Sequence, residues 1–154
     1  MGAWSSASYR TVIAFVLVLS SVHLLADTLE RSVLDQSIEE LQAQLQAGTL
    51  SSVDLVRWYQ DRIDRYDQKG PAINAIQHAN PNASQLALAL DEERRVSGPR
   101  SLLHGIPVLI KDNYETRGMP TTAGSILFAG HAPDRDATQV DRLKKAGAII
   151  LAKT

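Results

Sequence analysis

The residue in this sequence whose type and position could do chemistry is a lysine at the end of an apolar run. In the stretch "HGIPVLIKDN", five apolar residues, Ile106 to Ile110, lead directly into Lys111 and Asp112. Apolar surroundings disfavour the charged ammonium and lower the pKa of a lysine, and an amine that is neutral near pH 7 can act as a general base. The spacing also fits a lysine that pairs with Asp112 in solvent, and by itself it favours that second interpretation.

Two polar residues that directly follow Lys111 could orient its amine. Asp112 and Asn113 carry the hydrogen-bonding groups for that role, although we favour capping of the strand end for both. His104 has no acidic partner at short spacing, and four scattered histidines without any cysteine make no metal-ligand pattern. We therefore expect no metal and no cofactor.

The elements around Lys111 must place it at the edge of a sheet. The run from Ile106 to Ile110 is typical of a strand buried on both faces. About 24 residues without periodicity follow, 112–135, and a loop of that length is usually functional or disordered. "DATQVDRLKKAG" then predicts a helix capped by Asp136, and "AIILA" predicts a second strand. These elements form a βαβ unit with parallel strands, and ligands bind beyond the carboxyl ends of such strands.

Three helices are expected before this unit. A capping box is predicted at Ser37 with Glu40, Ser51 with Asp54 indicates the start of the second helix, and Asn80 should cap the third. The predicted apolar faces are Leu34, Ile38, Leu41 and Leu45 on the first helix, and Val56, Tyr59, Ile63 and Tyr66 on the second. The piece "INAIQ" between the second and third helices is expected to be extended. The fold class is α/β, with N-terminal helices followed by the start of a mixed, largely parallel sheet.

The first 26 residues predict a secretory signal peptide. Residues 1–10 hold a single charge, Arg10, and an apolar segment from Thr11 to Ala26 follows before the polar stretch "DTLERS". Serines and a histidine interrupt this segment, which falls short of the roughly 20 apolar residues that a membrane-spanning helix needs. We expect cleavage after Ala26 and secretion of residues 27–154. A retained membrane anchor is the alternative, and only then would a membrane be a partner.

The composition excludes some classes of function. With 16 basic and 17 acidic residues the formal net charge is −1, and no basic run occurs, so nucleic acid is not an expected partner. Apolar residues make up 44% of the chain, which is typical of a globular protein. Without cysteine, neither disulfides nor thiolate metal sites can form.

The stretch around Lys111 belongs to a longer pattern. "GIPVLIKDN", "GMPTTAGS", "DAT" and "AGAII" occur in the order and at about the spacing of the amidase signature family, which this sequence resembles. The segments "GTLSSVDLVRWYQDRID" and "INAI" are similar to the N-terminal helical region of that family. The resemblance covers roughly residues 33–154. It implies an amidase-signature fold and a hydrolase that acts on a small-molecule carboxamide.

By this resemblance Lys111 is the general base of a Ser-Ser-Lys triad. In such enzymes the lysine takes a proton from a bridging serine held by a cis peptide bond. That serine deprotonates the nucleophilic serine, which attacks the amide carbonyl and forms an acyl-enzyme that water hydrolyses. Backbone N–H groups stabilise the oxyanion. The motif "GMPTTAGS" places Thr122, Gly124 and Ser125 on the following loop as supporting residues.

Both triad serines of the family come from a Gly/Ser-rich segment downstream of the second strand. Ser125 belongs to the loop motif, and we expect it to fix the loop and not to act as the nucleophile. The chain is therefore expected to be an N-terminal portion of an amidase, without its nucleophile and inactive alone. Two alternatives stay open: a truncated, non-catalytic homologue that acts as a binding module, and a protein similar to the tRNA-dependent amidotransferase subunit of the same family. The leader argues against the second.

A glycosylation sequon, "NAS", begins at Asn82. A secreted chain could use it, whereas a place in the first turn of a helix would speak against its use. Neither one particular amide substrate nor an oligomeric state follows from the sequence.

Overall fold

A computed structural model describes residue 33 and residues 35–154 of the chain. The chain divides into two units, Met1–Gln36 and Ser37–Thr154. Leu34 and the predicted signal peptide lie outside the described residues. Every helix and strand bounded below belongs to the second unit. Within the described part of the chain, none of the helices has the length and apolar character that crossing a bilayer requires.

Two capped helices open the fold, and both the capping box predicted at Ser37 and the helix start predicted at Ser51 are confirmed. Helix α1 spans Ile38–Ala47 with Ser37 as its cap, and α2 spans Ser52–Arg62 with Ser51 as its cap. In each box the serine side chain accepts a backbone N–H bond from the third helical residue, whose carboxylate accepts the N–H of the serine. Gly48 ends α1 at a φ of 69°, the left-handed conformation typical of a helix stop.

The apolar faces of these helices follow the prediction only in part. Leu41 and Leu45 of α1 are buried, but Ile38 in its first turn is 40% exposed. Tyr66 was expected on the buried face of α2 and is 41% exposed. The reason is a change of period, because Ile63–Gln68 continue α2 as a wider, π-helical turn that shifts later side chains off the apolar face.

A three-stranded sheet lies at the centre of the second unit. Its strands are β1 (His78–Ala79), β2 (Pro107–Ile110) and β3 (Ile149–Lys153), in the order β1-β3-β2. The predicted parallel pairing of β2 with β3 is confirmed, and β1 adds an antiparallel edge. The segment "INAIQ" is not part of β1, and Asn74 within it adopts a positive φ of 53°, which interrupts an extended chain.

Helix α3 spans Ala83–Ser97 and begins later than predicted, because Asn80 is not its cap. The Asn80 side chain donates to the Ile150 carbonyl of β3 at 2.7 Å and accepts the Asn82 N–H at 2.9 Å. A buried carbonyl needs a donor, and here a residue at the sheet edge supplies it. Asn82 occupies the cap position without a capping hydrogen bond from its side chain.

Helix α4 spans Thr138–Lys145 and completes the crossover from β2 to β3. Asp136, the predicted cap, has other partners. Its carboxylate accepts the Arg117 N–H at 2.8 Å and pairs with Lys144 Nζ at 2.7 Å, so it joins the long loop to the helix. Ala137 takes the cap position.

Helices cover both faces of the sheet, and β3 contributes to both cores. One core consists of Val56 from α2, Ala83, Ala87 and Leu90 from α3, and Ile149 and Leu151 from β3. The other consists of Ile110, Met119, Val140 and Ile150. Side chains alternate along a strand, so all five residues of β3 are buried. This two-sided burial is what its unbroken apolar run predicted.

Candidate active site

Lys111 lies one residue beyond β2, at the carboxyl end of the parallel pair. Ile110 of β2 is level with Lys153 of β3, so Lys111 and Thr154 leave the sheet together. The Thr154 N–H donates to the Ile110 carbonyl at 2.9 Å, and the Asp112 N–H donates to the Thr154 carbonyl at 2.8 Å. Paired backbone therefore fixes the position of Lys111.

Several predicted site residues line one cavity of about 330 Å³ at this edge of the sheet. Its lining consists of Gln77, Lys111, Asp112, Asn113, Ala123, Gly124 and Thr154. The structure thus brings Lys111, Asp112, Asn113 and Gly124 together, while their roles stay predictions. The cavity has room for a small group next to the amine.

The Lys111 side chain is exposed, so the expected desolvation by the apolar run is not found. Leu109 and Lys111 share one side of the chain, and Leu109 is itself 50% exposed. Within residues 37–154 the Lys111 amine makes no ion pair or hydrogen bond. The other interpretation, a pair with Asp112 in solvent, is also wrong in this structure, because Asp112 is buried on the opposite side.

Asp112 joins the end of β2 to the loop that carries "TTAGS". Only 2% of Asp112 is exposed. Its Oδ2 accepts the backbone N–H of Thr122 at 3.0 Å and also the Thr122 hydroxyl, and its carbonyl accepts the Ala123 N–H at 3.0 Å. This structural role is the one that the sequence favoured for Asp112. Asn113 is exposed at the mouth of the cavity.

A second lysine, Lys153, lies beneath Asp112 and was not singled out from the sequence. Its side chain is fully buried, and its Nζ lies 3.3 Å from Asp112 Oδ1. The same ammonium donates to the carbonyls of Tyr114 and Pro120 at 2.9 and 3.1 Å and to Thr121 Oγ1 at 2.8 Å. All three of its N–H groups therefore have an acceptor, as burial of a charge requires.

The surroundings of this pair change the titration of both groups. Burial disfavours the ammonium and lowers the pKa of Lys153, and the Asp112 carboxylate offsets part of that effect. Burial acts to raise the pKa of the Asp112 carboxyl. The hydrogen bonds from Thr122 and the Lys153 ammonium outweigh it and hold that pKa below its usual range.

The other predicted loop residues stabilise the loop itself. Thr122 Oγ1 accepts the Gly124 N–H at 3.1 Å in addition to binding Asp112. The Ser125 side chain accepts the Leu127 N–H at 3.3 Å and so caps the short 3₁₀ turn Ile126–Phe128. The Ser125 contact is consistent with the loop-fixing role expected for that residue.

One sequence signal could have found Lys153. Both apolar runs end in a lysine, "PVLIK" and "IILAK", and adjacent parallel strands end at the same edge of a sheet. Two ammonium groups at one edge need a carboxylate between them, and Asp112 directly follows the first.

The described residues contain no group of three or more His, Asp or Glu side chains that could hold a metal ion.

Comparisons with known proteins agree on one family. The sequence model of the Amidase family matches residues 54–154. A Schizosaccharomyces pombe protein that carries the name of an amidase is 42% identical over 117 residues, which cover 75% of this chain and 20% of that protein. A glutamyl-tRNA(Gln) amidotransferase subunit from Chloroflexus aurantiacus is 41% identical over 119 residues, which cover 76% of this chain and 24% of the relative.

Solved structures agree with the sequence comparisons. The native peptide amidase of Stenotrophomonas maltophilia is 43% identical with a TM-score of 0.76, over 79% of this chain and 25% of that one. An amidase family protein of Bacillus anthracis is 37% identical with a TM-score of 0.78, over 86% and 26% of the two chains. The chain spans only 20% to 26% of the length of these four proteins. Its matched residues nevertheless include every motif around Lys111, and the chain belongs to the amidase signature family.

Proposed function

We propose that the protein which carries these residues hydrolyses linear carboxamides, with Lys111 as the general base of a Ser-Ser-Lys triad. The position of Lys111 carries the proposal: it follows a parallel strand, lines a cavity, and matches the lysine of the family motif. Membership of the amidase family supports a hydrolase. Because the chain spans a fifth to a quarter of its relatives, the activity is proposed for the complete protein.

The proposed chemistry requires Lys111 to give up its proton. In the described chain its amine is exposed and faces a cavity that is open to water. Two serines and a bound amide that fill the cavity would displace that water and disfavour the charged form. Lys111 would then accept a proton from the bridging serine, which activates the nucleophilic serine. The family motifs for those serines do not occur in the 154 residues, so we propose no turnover for these residues alone.

The test is the substitution Lys111→Ala in the complete protein, assayed by ammonia release from a C-terminal peptide amide. Turnover should be abolished because the base is lost. The free energy of unfolding should stay within about 0.5 kcal/mol, since the side chain is exposed and unpaired in the described fold. Lys145→Ala, which removes a surface lysine of α4, is the matched control and should keep full turnover. Near-normal turnover of Lys111→Ala would refute the assignment.

A second candidate function is that of a tRNA-dependent amidotransferase subunit, which the 41% identity to the Chloroflexus aurantiacus protein favours. Such a protein would draw ammonia from glutamine for a tRNA-bound product. The assay therefore compares a peptide amide with glutamine plus glutamyl-tRNA as substrates. Turnover of the peptide amide by the purified protein alone supports the amidase, whereas turnover that depends on glutamyl-tRNA and on further protein components supports this alternative.

We further propose that residues 1–26 are removed on secretion and that Asn82 is glycosylated. Asn82 is exposed and lies one residue before α3, so the acceptor side chain is outside the helix, while Ala83 and Ser84 of the sequon belong to its first turn. The secreted fraction should contain a chain that begins at residue 27 and becomes smaller on glycosidase treatment. Asn82→Gln and Ser84→Ala should both remove that mass difference. Retention of the leader in the membrane fraction would favour the anchor.

A further inference from the structure

We propose that Lys153 is a positioning residue for Lys111. Its ion pair with Asp112 turns the Lys111 side chain toward the cavity and holds the loop that forms the cavity wall. Its consequence for turnover rests on the proposed function of Lys111. The structural part of the inference concerns only where the Lys111 amine points.

The first step is the alternation of side chains at the end of β2. Lys111 and Asp112 are consecutive residues, and consecutive side chains of an extended chain point to opposite sides. The Asp112 carboxylate is held inside by Lys153 at 3.3 Å and by the Thr122 N–H at 3.0 Å. Lys111 is therefore turned outward, where it lines the cavity. Backbone hydrogen bonds hold the chain at this point, and the buried carboxylate adds a side-chain anchor that keeps Asp112 inside and Lys111 outside.

The second step is that the Lys153 ammonium binds several residues of the loop that follows β2. Lys153 Nζ binds the Tyr114 carbonyl from the start of the loop, and the Pro120 carbonyl and Thr121 hydroxyl from its middle. Ala123 and Gly124, which follow shortly after, line the cavity. A single buried charge thus holds both the end of β2 and the opposite cavity wall.

The third step is the reason for a lysine at this place. An apolar side chain of the same length would remove the Lys153 donor from the carbonyls of Tyr114 and Pro120 and leave the buried Asp112 carboxylate without a cation. A long stem that ends in three N–H donors meets all of these needs from inside β3. The requirement is geometric as well as electrostatic, because each acceptor lies in a different direction from the nitrogen.

The experiment uses the complete protein with three variants. Lys153→Met removes the ammonium and keeps the stem. Lys153→Met combined with Asp112→Asn removes both charges, so no carboxylate is left buried alone. Thr121→Val removes one acceptor of Lys153 and no charge. Lys144→Met, which breaks the ion pair with Asp136 at the other end of the loop, is the matched control.

Two readouts separate positioning from stability. The double variant should regain most of the melting temperature that Lys153→Met loses, yet its kcat should stay about 100-fold low with KM little changed, because a displacement of about 1 Å has that effect. Trace acetylation read by mass spectrometry should show a changed rate of Lys111 labelling in the double variant and in Thr121→Val, with Lys145 as internal reference. Lys144→Met should leave kcat and the Lys111 labelling unchanged.

Each outcome decides the inference. A folded double variant, or a folded Thr121→Val, with wild-type kcat and wild-type labelling of Lys111 would overturn it. Lys111→Ala in the same assay keeps the two proposals distinguishable. If that variant retains turnover, the proposed function is wrong, and the labelling readout alone decides whether Lys153 positions Lys111. If it loses turnover while the double variant does not, only the positioning role is wrong.

Discussion

Two lysines emerge at the carboxyl end of one parallel pair, and their surroundings give them different chemistry. Lys153 is the one whose pKa is lowered, which often marks a functional amine. However, it is fully buried and its three N–H groups are occupied, so a substrate proton cannot reach it. Lys111 faces a cavity instead. At the scale of single residues, an amine that faces a cavity and has no hydrogen-bond partner is a better candidate base than a buried amine with a shifted pKa.

The depressed pKa of Asp112 predicts an acid-sensitive contribution to stability. In the window between that pKa and the ordinary aspartate value of about 4, the unfolded chain binds more protons than the folded one, so stability rises with pH. The contribution is complete above this window and is lost as the pH falls through it. In urea unfolding, Asp112→Asn should therefore lower the free energy of unfolding more at pH 6 than at pH 3.

The control for this prediction is Asp141→Asn, which removes an exposed partner of Lys145 on α4. Its deficit should be small at both pH values, because exposed ion pairs contribute little. If Asp112→Asn lowered the free energy of unfolding equally at both pH values, the loss of stability at low pH could not be assigned to this carboxylate.

At the scale of elements, the N-terminus of α2 is capped from two directions. The Ser51 side chain accepts the Asp54 N–H at 3.0 Å, which is the local capping box. The carboxylate of Asp91 in α3 accepts the N–H groups of Ser52 and Val53 at 2.8 and 3.2 Å. The second cap joins two helices that are distant in sequence, so it contributes to tertiary packing as well as to the helix.

Removal of the long-range cap should cost more than removal of the local one. Asp91→Ala loses two charge-assisted hydrogen bonds and should lower the free energy of unfolding by about 2 kcal/mol. Ser51→Ala should lower it by about 1 kcal/mol. Urea unfolding of the complete protein measures both. Equal losses would indicate that Asp91 contributes no more than a surface carboxylate.

Two glycines with similar backbone angles separate conformational strain from close packing. Gly147 before β3 and Gly118 in the loop have φ values of +89° and +84°. A Cβ on Gly118 would meet open space, whereas a Cβ on Gly147 would lie 2.8 Å from Nδ1 and 2.9 Å from Cα of the buried His104. Gly118→Ala should therefore lower the free energy of unfolding by about 1 kcal/mol and Gly147→Ala by about 3 kcal/mol, as measured by urea unfolding.

Local signals were readable from the sequence, and contacts between distant segments were not. The caps at Ser37 and Ser51 were predicted because their partners lie three residues away. Asn80 and Asp136 carry the same kind of signal, but their side chains bind β3 and the long loop, which the sequence does not bring near them. Lys153 was missed for the same reason, since its partners Tyr114 to Thr121 lie more than thirty residues earlier. The position of Lys111 was predictable because it needs only a strand and its end.

At the scale of the whole molecule, several apolar side chains of the described unit face solvent. Ile126 and Leu127 in the 3₁₀ turn are 86% and 88% exposed, and Leu109 on β2 is 50% exposed. Among the described strands, β2 pairs on one side only, so its outer edge is open. Open edges and apolar patches promote association between chains.

This surface predicts that residues 27–154 expressed alone will not behave as a stable module. They should bind an apolar dye, melt without a sharp transition and aggregate as concentration rises. Leu127→Lys should reduce the aggregation, because it places a charge where a large apolar side chain is 88% exposed. Leu151→Lys, at a buried position, should worsen it and serves as the contrast. A sharp cooperative melt would support the non-catalytic module instead.

Two hydrogen bonds from Asn80 occupy carbonyl groups at one edge of β3. Its backbone N–H donates to the Leu151 carbonyl at 2.9 Å and its side chain donates to the Ile150 carbonyl at 2.7 Å, just where β1 leaves the edge of β3. These two acceptors are therefore closed to an incoming strand on that side. Of the two edge strands in the order β1-β3-β2, β2 is the one beside Lys111. A strand that pairs with the outer edge of β2 would bring its end close to the amine for which a nucleophile is proposed.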